Sequence, residues 1–201
     1  MEKTRSIPCL AIGTLLVAVG LAVFGVRLLH AGPYAIPQGG ALFGGLGAVA
    51  LGLALLWIGK LRPWGWLLVV VCPAALFPAL YSIMGEAEEV ISLFAKGPGD
   101  ELVDLRLWIV DRDDGAWVGM KREKAIANRL DGQRLSMLRN GQLDCVVPVL
   151  HEDRETVDEI HGMKVEKYKA AQISGAMGMY PLQATASTVV LRLDPCATVD
   201  P

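Results

Sequence analysis

Charge is nearly missing from the first half of this chain. Between Ile7 and Met84 the only formal charges are Arg27, Lys60 and Arg62. A water-soluble helix needs a polar face, and this stretch supplies none. Metal-site spacing is also missing: the four cysteines form no CxxC pair, and the three histidines join them in no zinc-like cluster, which argues against a structural metal. No internal repeat or low-complexity tract occurs. From Glu101 onward 13 Lys/Arg stand against 16 Asp/Glu, a net charge of −3, which gives no general reason to expect a nucleic-acid partner.

What the first half does contain is apolar sequence in three segments of roughly 20 residues, the length that crosses a ~30 Å hydrocarbon core. Pro/Gly-bearing breaks at Ala31–Gly39 and Lys60–Pro63 separate Ile7–Leu29, Gly40–Ile58 and Trp64–Met84. Residues 1–84 therefore read as a three-helix transmembrane anchor in a lipid bilayer. The first segment also has the outline of a secretory signal, but its run is long for a signal core and Leu29-His30-Ala31 is a poor cleavage site. Gly40, Gly44, Ala48 and Gly52 recur every fourth residue, a small-residue stripe that suits close helix packing, within the chain or across a homodimer. Pro73 and Pro78 lie inside the third segment, without the mid-membrane ionisable residues of a transport path. Trp57, Trp64 and Trp66 flank the second break like an interfacial aromatic belt. Lys3, Arg5, Lys60 and Arg62 place the N-terminus and second loop in the cytoplasm, so the C-terminal domain is expected outside, as in a bacterial inner-membrane protein.

Residues 85–100 read as a linker, with Glu86–Ala95 a short amphipathic helix and Gly97-Pro98-Gly99 the boundary of a soluble domain at 101–197. From Glu101 the apolar period becomes two: Leu105, Leu107 and Ile109 alternate with their neighbours as in a half-buried strand. Asp111-Arg112-Asp113-Asp114-Gly115 is turn chemistry, and its carboxylates lack the further ligands of a calcium loop. A strand at Ala116–Met120, a short helix at Lys121–Leu130 and a strand at Arg134–Arg139 follow. Asn140-Gly141 then signals a tight hairpin into Leu143–Leu150. A helix over Asp153–Ala171 and a strand at Thr188–Leu193 complete an α+β domain on an antiparallel sheet or barrel. His151 and His161 stand beside no evident nucleophile. Cys145 and Cys196 are either free thiols or, in an oxidising compartment, a disulfide that contributes about 2–4 kcal/mol by closing a long loop.

Leu105–Asp111, Gly115–Val118, Leu138–Gly141, Lys167-Tyr168 and Leu191–Pro195 together resemble small flavin-reductase-like split barrels. That group includes pyridoxamine-phosphate-oxidase-like FMN proteins and deazaflavin-dependent nitroreductases. The resemblance covers Leu102–Pro195 and none of the membrane half. It implies an antiparallel split barrel, usually dimeric, with FMN or a deazaflavin in a groove; Trp117, Lys121 and Arg122 are the candidate cofactor-binding residues. Such relatives tend to carry an Arg where this chain has Gly119, and a Trp in the next helix where it has Ala125-Ile126-Ala127. A flavin phosphate needs cationic or backbone donors and its ring a flat apolar wall, so both departures weigh against a working cofactor site. The sequence therefore points to a membrane protein presenting an extracytoplasmic split-barrel-like module for binding or structure, without redox chemistry. The alternative is a membrane-tethered flavin- or deazaflavin-dependent oxidoreductase acting on a small or quinone-like acceptor.

Overall fold

The computed structural model describes residues 7–31, 40–58, 62–178 and 180–197. The chain divides into two compact units, Met1–Ala87 and Glu88–Pro201. Lys3, Arg5 and Lys60, on which the expected orientation rests, lie outside the described residues, as does the side chain of Arg62.

The first unit consists of helices α1 (Ile7–Ala31), α2 (Gly40–Ile58) and α3 (Arg62–Ala87). Its buried residues recur every seven positions, at Cys9, Leu16 and Val23, at Ala48 and Leu55, and at Cys72 and Ala79. That spacing is the seam of a helical bundle. The small-residue stripe works inside the chain. A Cβ on Gly52 would fall 2.7 Å from the Gly13 carbonyl of α1, and one on Gly44 would fall 3.2 Å from Pro78 of α3. The expected count of three membrane spans is not supported. By length and composition, two helices among the described residues could cross a membrane, at Cys9–Leu28 and Val70–Ala87. The apolar part of α2, Leu42–Trp57, is shorter; at 1.5 Å per residue it falls short of a ~30 Å core.

The second unit is a closed antiparallel barrel of order β1-β2-β3-β6-β5-β4. Its strands are β1 (Val90–Lys96), β2 (Leu102–Arg112), β3 (Gly115–Lys121), β4 (Leu135–Arg139), β5 (Gln142–His151) and β6 (Thr188–Pro195). Period-two alternation fills the interior: Ile91, Leu93, Leu105, Leu107, Ile109, Val118, Val189, Leu191 and Leu193 form one core. Asn140 and Gly141 both have positive φ, 50° and 79°, as a two-residue turn of type I′ requires, and they set the register Arg139↔Gln142. Cys145 and Cys196 are joined as a disulfide with Cα atoms 5.4 Å apart, at the end of the β5–β6 ladder.

Two expectations are corrected here. Glu86–Ala95 is not a linker helix: Val90–Lys96 forms β1, which pairs with β2 on one side and β4 on the other and closes the barrel. Gly97-Pro98-Gly99 consequently lies in the β1–β2 hairpin loop, where the Gly97 N–H donates to the Glu101 carbonyl, and is not a domain boundary. The helix expected over Asp153–Ala171 is two helices. α5 (Arg154–Lys167) starts at Asp153, whose side chain accepts from the Thr156 N–H, and ends at Tyr168, which is extended (φ −102°, ψ 112°). α6 (Lys169–Ala176) follows, its first N–H accepted by the Glu88 carboxylate at 2.6 Å. The short helix after β3 is α4 (Arg122–Ala127).

Candidate binding site under helix α5

β2, β3 and β6 present a second apolar face outside the barrel, and α5 and α6 cover it. Val110, Trp117, Val157, Ile160, Tyr168, Ala171 and Val190 form this second core. Tyr168 anchors it. Its hydroxyl accepts from the Ile109 N–H at 2.9 Å and lies within hydrogen-bonding reach of the Glu89 and Ile109 carbonyls, while its ring stacks on Trp108 at 4.9 Å. Burial raises the Tyr168 hydroxyl's pKa, so it remains a neutral donor.

Beside Tyr168 the charges are well matched. Glu89 accepts from Lys167 at 2.5 Å and from Arg139 at 2.6 Å, and Arg139 also reaches Asp111 at 2.7 Å. Burial alone would raise the Glu89 pKa, but the hydrogen bonds from Lys167 and Arg139 outweigh it and hold the carboxyl below its usual range. Asp111 is lowered chiefly by its hydrogen bond from Arg139. This network ties β2, β4, α5 and the residue preceding β1 together and leaves none of its four charges uncompensated.

The opposite condition holds further along α5. Lys164 is 7 % exposed and His161 3 %. The Lys164 ammonium has no hydrogen bond or ion pair among the described residues; its neighbours are the Tyr180 ring, 5.6 Å from Nζ to centroid, and Gly119 of β3. His161 Nε2 lies 2.9 Å from the Pro181 carbonyl, its ring stacks on Tyr180 at 5.7 Å, and its buried Nδ1 has no hydrogen-bond partner among the described residues. Desolvation lowers the Lys164 pKa to about 8. It also lowers that of His161, against the opposing effect of the Pro181 contact. A Cβ at position 119 would lie 3.1 Å from Lys164 Nζ. The glycine that departs from the split-barrel pattern is therefore the space into which α5 delivers an ammonium.

Of the residues expected to hold a cofactor, Trp117 and Arg122 have partners within the domain. Trp117 is 1 % exposed; its Nε1–H donates to Asp114, the Arg112 guanidinium lies 4.7 Å over its ring, and His151 packs at 4.9 Å. Lys121 is exposed at the end of β3, and Arg122 pairs with Glu152 at 2.9 Å. A cavity of about 130 Å³ opens between α4 and β5, lined by residues that include Ile126, Arg129, Leu130, Asp131 and Leu150. That is smaller than the ~300 Å³ at which pockets for drug-sized ligands begin. Among the described residues no group of three His, Cys, Asp or Glu side chains could hold a metal.

No family model and no curated protein sequence matches the chain. Solved structures similar to it include the heme storage protein HutZ of Vibrio cholerae (14 % identity, 56 % of this chain and 84 % of that one, TM-score 0.41). They also include Rv2991 of Mycobacterium tuberculosis (18 % identity, 58 % and 78 %, TM-score 0.38) and a pyridoxamine 5'-phosphate oxidase-like protein of Listeria innocua (16 %, 56 % and 88 %, 0.38). The C-terminal domain resembles split-barrel proteins. In the sequence His161 reads only as a histidine beside no evident nucleophile. Lys164 is not singled out there, although it shares the helical register of Val157 and Ile160.

Proposed function

We propose that this protein is a membrane-anchored binding module: a helical anchor carrying a split-barrel domain on the extracytoplasmic side, without redox chemistry. The outward surface of the helical unit carries the reading. Phe43, Trp57 and Val70 are 75 %, 86 % and 75 % exposed, an apolar exterior that water does not tolerate at this extent and a lipid bilayer does. Arg27 near the end of α1 pairs with Glu86 near the end of α3 at 2.9 Å, which supports placing both ends at the same face of the bilayer. With Lys3 and Arg5 inside and α2, despite its shorter apolar run, returning the chain across the bilayer, that face is outside. The Cys145–Cys196 bond fits the same side, since such bonds persist in oxidising compartments. The buried Trp117 and the Lys164-filled space over Gly119 support the absence of a flavin seat.

The test is direct. Reporter fusions at the C-terminus, active only outside the cytoplasm, are expected to be active, and non-reducing mass spectrometry of membrane-extracted protein is expected to find Cys145 bonded to Cys196. A cytoplasmic reporter signal or two free thiols overturns the topology. A stoichiometric flavin absorption band, in purified protein or after FMN titration, overturns the non-redox assignment.

A further inference from the structure

Two polar side chains on one face of α5, three residues apart, are nine-tenths buried, and among the described residues Lys164 Nζ and His161 Nδ1 make no hydrogen bond. Lys164 offers only donors, three N–H bonds on a positive charge. His161, with its Nε2–H donating to the Pro181 carbonyl, offers a lone pair on Nδ1. Positions i and i+3 on a helix are neighbours, with Cβ atoms ~5–6 Å apart, and both side chains flank the Tyr180 ring. A buried ammonium without an acceptor is costly. No carboxylate of α5, β3 or the 177–187 connection makes an ion pair with it among the described residues: Asp158 pairs with Arg154, and Glu159 with Arg112. Nζ occupies the space over Gly119, where a Cβ would lie 3.1 Å from it and press on the ammonium.

We propose that Lys164 and His161 form a binding site for a protonated oxyanion, a hydrogen phosphate group. One bound group must supply an anionic oxygen to Lys164 Nζ and a hydroxyl proton to His161 Nδ1. Hydrogen phosphate carries both on one phosphorus; a carboxylate or a sulfate at neutral pH carries the charge without the proton. The Lys164 bond would be charge-assisted and the stronger of the two. The site is separate from Lys121 and Arg122, and it rests on the binding-module reading.

The experiment uses the full chain in phosphatidylcholine nanodiscs. Calorimetric titration with inorganic phosphate is expected to show saturable 1:1 binding, and sulfate to bind at least about tenfold more weakly. Lys164→Met is expected to weaken phosphate binding about tenfold or more, and Gly119→Ala to weaken it in the same direction by displacing Nζ. The ¹⁵N resonance of His161 Nδ1 is expected to move on phosphate addition in the wild type and to stay still in Lys164→Met, which reads the site even where affinity is low. A second arm, nanodiscs containing phosphatidic acid with no added phosphate, identifies a lipid source if it moves the same resonance. Equal binding by wild type and Lys164→Met, or a His161 signal that responds to neither source, overturns the site. Sulfate binding as tightly as phosphate overturns the role of His161. None of these outcomes depends on a flavin band, so failure of the site and failure of the non-redox reading are separately visible.

Discussion

Replacing Lys164 by methionine is expected to make the barrel more stable. The native pKa of about 8 lies below the 10.5 of an unperturbed lysine because burial removes the ammonium from water. At about 1.36 kcal/mol per pH unit, keeping the charge buried costs about 3 kcal/mol at neutral pH. Methionine is likewise unbranched, one atom shorter, and occupies the gap without a charge. The sign follows from linkage: between pH 8 and 10.5 the unfolded chain binds more protons than the native one, so wild-type stability rises with pH there. Below pH 8 the penalty is full; above 10.5 it is gone. His161, the ionisable neighbour, is lowered from its ordinary 6.5 and titrates outside that window. The assay is denaturant unfolding of the full chain in detergent and phosphate-free buffer, followed by near-UV circular dichroism, at pH 7, 8, 9 and 10. Lys164→Met should gain up to about 3 kcal/mol at pH 7 and lack the wild-type rise between pH 8 and 10. A variant less stable than wild type at pH 7, or one keeping the same slope, would refute the claim that this ammonium is uncompensated.

Three other perturbations have defined outcomes. Tyr168→Phe removes the acceptor of the buried Ile109 N–H and should cost about 1–3 kcal/mol in the same unfolding assay, with faster amide exchange at Ile109. Replacing Cys145 and Cys196 by serine opens a loop with a sequence separation of 51 and should cost about 4 kcal/mol on the chain-entropy model, a loss that reduction of the wild type should reproduce. Glu89 and Asp111 have native pKa values below their unfolded ones, so their stabilisation is complete above the ordinary carboxylate range near 4 and is lost as pH falls through their native values. Glu89→Gln should therefore flatten the acid limb of the stability profile below about pH 4 and leave its alkaline limb unchanged.

Where local chemistry and final environment agreed, the elements could be read from the chain. Asn140-Gly141 specified its turn because both residues accept positive φ, and the alternation of Leu105, Leu107 and Ile109 emerged as an inward strand face. β1 was misread because Val90-Ile91-Ser92-Leu93-Phe94 carries no period long enough to separate helix from strand; strands on both sides, brought there by the fold, decided it. Tyr168 splits the expected long helix for a related reason: its hydroxyl is drawn to Ile109 and Glu89, contacts distant in sequence.

The sequence by itself determined the division into an apolar helical half and a polar barrel half, because hydrophobicity and backbone period are local properties. It also determined the hairpin turn and the inward faces of the central strands. The tertiary structure alone decided which charges are satisfied. Glu89, just before β1, and Asp111, Arg139 and Lys167, from β2, β4 and α5, neutralise one another, while Lys164, one helical turn away from Lys167, is buried over Gly119 with no ion pair among the described residues. Two lysines on the same helix differ in this way because burial and pairing depend on what the other elements bring to each of them.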